Sequence, residues 1–148
     1  MYGQVIHSAF LNRIALETME DPTTVDPQYI LQRIFEFAEP PELIELFDQF
    51  CICAMNEQYS WNEGGPGNLL FVCEQIEMFV EACSLLDKKT NEAVESFFKT
   101  YSLPQWKKEF HGWMEAAFAD FSVVENVEPA SISRFPGAVR ELIRNVVR

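Results

Sequence analysis

The segment that decides the fold spans residues 69–86 and reads LLFVCEQIEMFVEACSLL. Most of its apolar side chains recur every three or four residues, at Leu69, Val72, Cys73, Ile76, Phe79, Val80, Cys83 and Leu86. Because an α-helix completes a turn every 3.6 residues, this spacing places them on one helical face. The segment therefore predicts a long helix that packs its apolar face into a core.

The same spacing continues along most of the chain, and its interruptions indicate where helices begin and end. Asp26-Pro27 predicts a helix start, because Asp caps free N–H groups and Pro suits the first helical position. That helix should end at Pro40-Pro41, and Pro41 can open the next one. Further helices are predicted from the stripe of Ile6, Phe10 and Ile14, and from starts at Thr90, Ser102 with Pro104, and Pro136.

Residues 122–134 are less regular, and Val123, Val124 and Val127 in this stretch predict a short extended piece. The spacing as a whole predicts an all-α fold, a compact single-domain bundle or orthogonal array of six to seven helices. We expect residues 1–148 to form one helical domain, because this length is typical of a single domain.

The composition indicates a tightly packed core and a cytoplasmic protein. Hydrophobic residues make up 48% of the 148, with 13 Phe among them, which excludes a disordered chain. No apolar run approaches the roughly 20 residues that cross a bilayer, and the first residues lack the basic and apolar blocks of a signal peptide. The four cysteines lie within apolar helical patterns, so we expect buried, reduced thiols at Cys51, Cys53, Cys73 and Cys83.

Acidic residues are concentrated in the middle of the chain. The net charge is −12, and residues 14–87 contain 15 Asp or Glu against the single basic residue Arg33. Helical spacing places Glu74, Glu77 and Glu81 on one face, predicted to lie opposite the apolar stripe, and groups Glu42, Glu45 and Asp48 one helix earlier. These helices could present an acidic surface that docks a basic partner. The alternative interpretation is a solvated face that serves only solubility.

The most unusual stretch is the Gly-rich segment 59–68, YSWNEGGPGN, which we predict to be a loop. A loop of this kind can cradle an anion, but it lacks the Lys of a phosphate-binding motif, and Glu63 would repel phosphate. Aromatic side chains often anchor interfaces, so Tyr59 and Trp61, with Glu63, are predicted to be a recognition element.

Several chemistries are disfavoured by residue type and spacing. A dimetal carboxylate site needs a Glu three positions before its His. Neither His7 nor His111 has one. The cysteine spacing does not fit a structural zinc site, so we predict no metal and no cofactor. The acidic balance disfavours direct nucleic-acid binding, and the absence of a long apolar run disfavours membrane insertion.

The sequence therefore favours a non-enzymatic protein-binding module, such as an inhibitor, immunity protein or chaperone-like adaptor. The competing hypothesis is a small helical enzyme or small-molecule binder with an interhelical pocket near His111, using Glu109 or Glu115 as its neighbours. A third class is a structural subunit whose exposed apolar positions become buried in a homo-oligomer.

Overall fold

The computed structural model describes residues 26–55, 66–118 and 129–146, with the side chains of 66–67 and 129–133 left aside. The described residues form six helices and no strand, which confirms the all-α prediction. The helices are α1 (Pro27–Phe37), α2 (Pro40–Met55), α3 (Pro66–Ser84), α4 (Glu92–Thr100), α5 (Leu103–Phe118) and α6 (Pro129–Asn145). The predicted stripe of Ile6, Phe10 and Ile14 and the extended piece at Val123, Val124 and Val127 lie outside the described residues.

The start of α1 follows the sequence signal. The Asp26 carboxylate accepts a hydrogen bond from the Gln28 N–H at 2.9 Å, and Pro27 occupies the first helical turn. This arrangement satisfies one of the N–H groups that a helix start leaves without an intrahelical acceptor. The helix ends at Phe37, and α2 begins at Pro40, one residue earlier than predicted.

The starts of α3 and α4 differ from the prediction by one to three residues. Helix α3 begins at Pro66, so the last three residues of the predicted loop are helical, because Pro fits the first helical position. Helix α4 is capped by Asn91, whose side chain accepts from the Val94 N–H at 3.2 Å, rather than by Thr90. Glu92 and Glu95 lie in its first turn, as predicted.

Reciprocal hydrogen bonds between Ser102 and Gln105 open α5. The Ser102 N–H donates to Gln105 Oε1 at 2.8 Å, and the Ser102 hydroxyl accepts from the Gln105 N–H at 3.4 Å. This is a capping box, in which each side chain satisfies the other residue's backbone N–H.

The prediction that Pro136 starts the last helix is wrong. Helix α6 begins at Pro129 and continues through Pro136, although an interior proline removes a hydrogen bond and costs about 3 kcal/mol. Phe135, Val139, Leu142 and Ile143 around this position are all buried in the core. Their burial offsets the cost, because each large apolar side chain contributes roughly 1.5–3 kcal/mol when buried.

Helix α3 lies at the centre of the packing, in contact with α1, α2, α4 and α5. Helix α2 also packs against α5 and α6, and α6 packs against α4. Phe79 and Ile76 of α3 are fully buried, and Met78 and Ala82, which lie outside the predicted stripe, are buried too. Helix α3 is therefore covered on more than one side, as a helix with apolar residues around most of its surface requires.

Aromatic side chains fill the space between α2, α5 and α6, as the sequence predicts. Phe135 stacks on Trp113 with ring centroids 5.1 Å apart, and Phe110 contacts both Phe135 and Phe50. Near α4, Trp106 stacks on Phe97 at 4.2 Å, and its indole N–H donates to the Phe97 carbonyl at 3.0 Å. The buried indole thus has its polar atom satisfied, as buried tryptophans usually do.

None of the described helices combines the length and the apolar character that a membrane crossing needs.

Gly137 weakens α6, because glycine is about 1 kcal/mol less favourable than alanine inside a helix. A Cβ added at this position would meet nothing within 4 Å. We therefore expect Gly137→Ala to raise the free energy of unfolding by about 1 kcal/mol, measured by urea denaturation. The reciprocal variant Ala138→Gly, one residue along the same helix, should lower it by at least as much. If Gly137→Ala instead lowered the free energy of unfolding, residue 137 would require a backbone conformation that alanine does not readily adopt.

Candidate functional site

Two carboxylates of the central helix are buried, which corrects the predicted acidic face. Glu77 and Glu81 are only 6% and 2% exposed, and Glu74 is half-buried. The three residues do share one side of α3, but α5 covers that side. The expectation that Glu77 and Glu81 face solvent is therefore wrong, because it assumed a helix with a single buried face.

Lys107 of α5 supplies the positive charge that these carboxylates need. Its Nζ lies 2.6 Å from Oε1 of Glu81 and 3.7 Å from Oε1 of Glu77. Partial burial acts to lower the pKa of Lys107, but the hydrogen bond to Glu81 and the charges of Glu81 and Glu77 outweigh it and raise that pKa. The ammonium group therefore stays charged at neutral pH.

His111 lies one helical turn beyond Lys107 and contacts Glu77. Its Nε2 is 3.0 Å from Glu77 Oε1, and its side chain is 52% exposed. When Glu77 is ionised, its carboxylate can only accept, so this hydrogen bond then requires a proton on Nε2 of His111. Sequence reasoning named Glu109 and Glu115 as neighbours of His111 and missed Glu77, which comes from another helix.

These four side chains form a cluster that we call the α3–α5 charge cluster: Glu77, Glu81, Lys107 and His111. Glu77 and Glu81 are four residues apart, and so are Lys107 and His111, so each pair lines one side of its helix. The order of the contacts, with Glu81 on Lys107 and Glu77 on His111, shows that α3 and α5 run antiparallel. Chemically, the cluster joins two helices and orients an imidazole whose other face reaches solvent.

The described residues contain no group of three or more His, Cys, Asp or Glu side chains arranged to hold a metal ion. The four cysteines are buried with free thiols, as predicted. Burial raises the pKa of each thiol above its usual value of 9.0, and that of Cys73 to about 12. A thiol with so high a pKa is a poor nucleophile, because the thiolate is the reactive form.

Asp48, predicted to bind a partner, is engaged within the fold. Its Oδ1 accepts from Arg140 Nη2 at 2.6 Å and from Arg140 Nε at 3.1 Å. Both side chains are partly exposed, so the pair connects α2 to α6 near the surface. The Arg140 guanidinium therefore offsets much of the charge that Asp48 would present.

The remaining predicted acids on α2 do reach solvent. Glu42 and Glu45 are exposed, and so are Glu36 and Glu39 just before them. The four lie within ten residues where α1 ends and α2 begins, and we call this surface the acidic corner. Glu42 and Glu45 are three residues apart on the surface of α2, and Glu39 directly precedes this helix. The predicted recognition residues Tyr59, Trp61 and Glu63 lie outside the described residues.

An exposed apolar surface adjoins the acidic corner. Phe37 at the end of α1 packs edge-to-face on Phe71 near the start of α3, with ring centroids 5.0 Å apart. Both residues remain 40% exposed, and the neighbouring Leu70 is 45% exposed. We call Phe37, Leu70 and Phe71 the aromatic edge. Sequence reasoning missed it because Leu70 and Phe71 fall off the main stripe of α3.

No protein-family model, curated protein or solved structure matches this chain. The contacts, burial and charge of three features therefore indicate what the chain can bind. These features are the α3–α5 charge cluster, the acidic corner and the aromatic edge.

Removing the cation of the charge cluster should destabilise the fold strongly. We expect Lys107→Met to lower the free energy of unfolding by about 3 kcal/mol, because Glu81 would stay buried without a positive charge. Urea denaturation at neutral pH measures the change, with the exposed Lys108→Met as a matched control expected within about 0.5 kcal/mol of wild type.

Combining Lys107→Met with Glu81→Met should recover most of that loss, since an apolar pair of similar volume replaces the ion pair. Additive losses in the double variant would contradict direct coupling between the two residues.

The thiols should react only when the protein opens. We expect iodoacetamide at pH 8 to modify the four cysteines slowly in the native protein and quickly in urea, because burial both shields them and raises their pKa. Mass spectrometry of samples quenched over time counts the modified thiols. Rapid modification of any native cysteine would show that its surroundings open readily.

Proposed function

We propose that this protein is a non-enzymatic binding module that docks a basic partner protein through the acidic corner. The observation that carries the proposal is the exposure of Glu36, Glu39, Glu42 and Glu45 within ten consecutive residues. Carboxylates that are paired within a fold add little negative potential to its surface. Exposed carboxylates create a negative potential that attracts a basic partner.

The internal ion pairs support this choice of surface. Glu77 and Glu81 are buried against Lys107, which offsets part of their charge, and Asp48 is paired with Arg140. The docking residues retained from the sequence prediction are therefore Glu42 and Glu45, now extended to Glu36 and Glu39. Inhibitors, immunity proteins and adaptors all act by holding a partner in this way, and the proposal covers that shared step.

A comparison of two charge-matched triple variants tests the proposal. Glu39→Gln, Glu42→Gln and Glu45→Gln together neutralise the corner, while Glu92→Gln, Glu95→Gln and Glu115→Gln remove the same charge from exposed positions on α4 and α5. The control triple removes two acids from a first helical turn, Glu92 and Glu95, whereas the corner triple removes one, Glu42, so the control is expected to lose at least as much helix stability.

We expect a protein captured from native lysate by wild type at low salt to be lost from the corner variant and retained by the control variant. For the purified partner, the association rate should fall about tenfold in the corner variant at low salt. The difference should shrink as added salt shortens the screening length. Equal capture by both triples would reject the acidic corner as the docking surface.

The competing function is a small enzyme or small-molecule binder around His111. The contact between a buried carboxylate, Glu77, and the half-exposed imidazole of His111 is the observation in its favour. Against it, the adjacent Phe110 packs into a filled aromatic core. His111→Gln separates the two functions, since partner capture should persist in this variant if the corner is the docking surface.

A further inference from the structure

The aromatic edge is apolar surface that the described helices leave partly uncovered. Phe37 and Phe71 contact each other through an edge-to-face pair, yet each remains 40% exposed. Deeper between the same two helices, Phe35 packs on a fully buried Phe79. The packing between α1 and α3 is thus complete at Phe79 and incomplete at the end where Phe71 lies.

At this end the two helices share an exposed apolar surface. Phe37 at the last residue of α1 meets Phe71 near the start of α3, while Phe35 meets Phe79, so the helices run antiparallel. Leu70 extends the apolar surface along α3. Exposed apolar surfaces that two packed helices share can bind the apolar face of a third, amphipathic helix.

The charge of the residues beside the aromatic edge indicates which kind of helix could bind there. Glu36 precedes Phe37 directly and Glu39 follows it by two residues, and both are exposed. The acidic corner is therefore the rim of the aromatic edge, and an apolar centre with a charged rim is the usual anatomy of a protein interface. A second copy of this chain, with its net charge of −12, would bring like charges together at that rim.

We propose that the aromatic edge receives the apolar face of a cationic amphipathic helix on the partner. This inference rests on the proposed docking function and adds the chemistry of the partner segment. The apolar side chains of that helix would cover Phe37, Leu70 and Phe71, while its Lys or Arg residues face Glu36 and Glu39. Long-range electrostatic attraction speeds association of this helix, and burial of the aromatic edge stabilises the complex.

Binding of a defined peptide tests this inference. The probe is a fluorescein-labelled peptide of about 18 residues, five helical turns, with Leu at helical spacing and Lys elsewhere. A scrambled peptide of the same composition keeps the charge and removes the apolar face. Fluorescence anisotropy gives the dissociation constants at low salt, with folding of each variant checked by circular dichroism.

We expect the scrambled peptide to bind at least about tenfold more weakly than the amphipathic one. The double variant Leu70→Gln and Phe71→Ser should weaken the amphipathic peptide by a similar factor and leave the scrambled one unchanged. Leu70→Gln alone, at the most exposed of the three positions, should weaken it in the same direction, and it tests the site if the double variant unfolds.

The outcomes separate this inference from the proposed function. Weaker binding in the corner triple with unchanged binding in the Leu70 and Phe71 variants would keep the docking function and overturn the helix site. Unchanged binding in both sets would overturn both. A dimer that dissociates on mutation of Leu70, seen by sedimentation, would assign the aromatic edge to a second copy and overturn the inference.

Discussion

Two negative charges lie inside the packing of the central helix, and the arrangement of α5 depends on them. Glu77 and Glu81 can be buried only where positive charge and hydrogen-bond donors meet them, because an isolated buried carboxylate is far too costly. Lys107 and His111 contact these carboxylates. They are four residues apart on α5, as Glu77 and Glu81 are on α3. A shift of α5 by one residue would rotate them by about 100° and separate the pairs.

An ion pair of this kind can contribute more to structural specificity than to net stability. Apolar side chains of similar size at Glu81 and Lys107 would pack without desolvating charges, and such replacements are often neutral. They would also accept several registers, since apolar contacts have no direction. We infer that the ion pair selects one antiparallel alignment of α5 on α3, and the aromatic core between α2, α5 and α6 then packs in that alignment.

The features predictable from sequence are those that depend on residues within one helical turn. Asp26-Pro27 opens α1 as expected, because a cap acts on N–H groups two residues away. Helix type and most of the core follow from the spacing of apolar residues. Proline was harder to interpret, since Pro136 is compatible with a helix start and with an interior position that surrounding burial supports.

The features that were not predictable depend on which helices become neighbours. Whether Glu77 faces solvent is decided by α5, which lies some thirty residues further along the chain, as the 34-residue separation of Glu77 and His111 indicates. One signal was present in the sequence: Met78 and Ala82 are apolar residues beside the acidic positions, and both are buried. Apolar residues around most of a helix indicate that it is enclosed, and charges on such a helix must then be paired.

The arginines of α6 contact residues that lie outside the acidic corner. Of the arginines on α6, Arg140 pairs with Asp48, Arg144 with Glu141, and Arg134 with the Tyr101 hydroxyl. The arginines of α6 in these contacts therefore interact with other residues than those of the acidic corner. The aromatic edge beside the acidic corner offers the short-range contact that charge alone cannot provide, because exposed charge pairs are screened by salt whereas apolar burial is not.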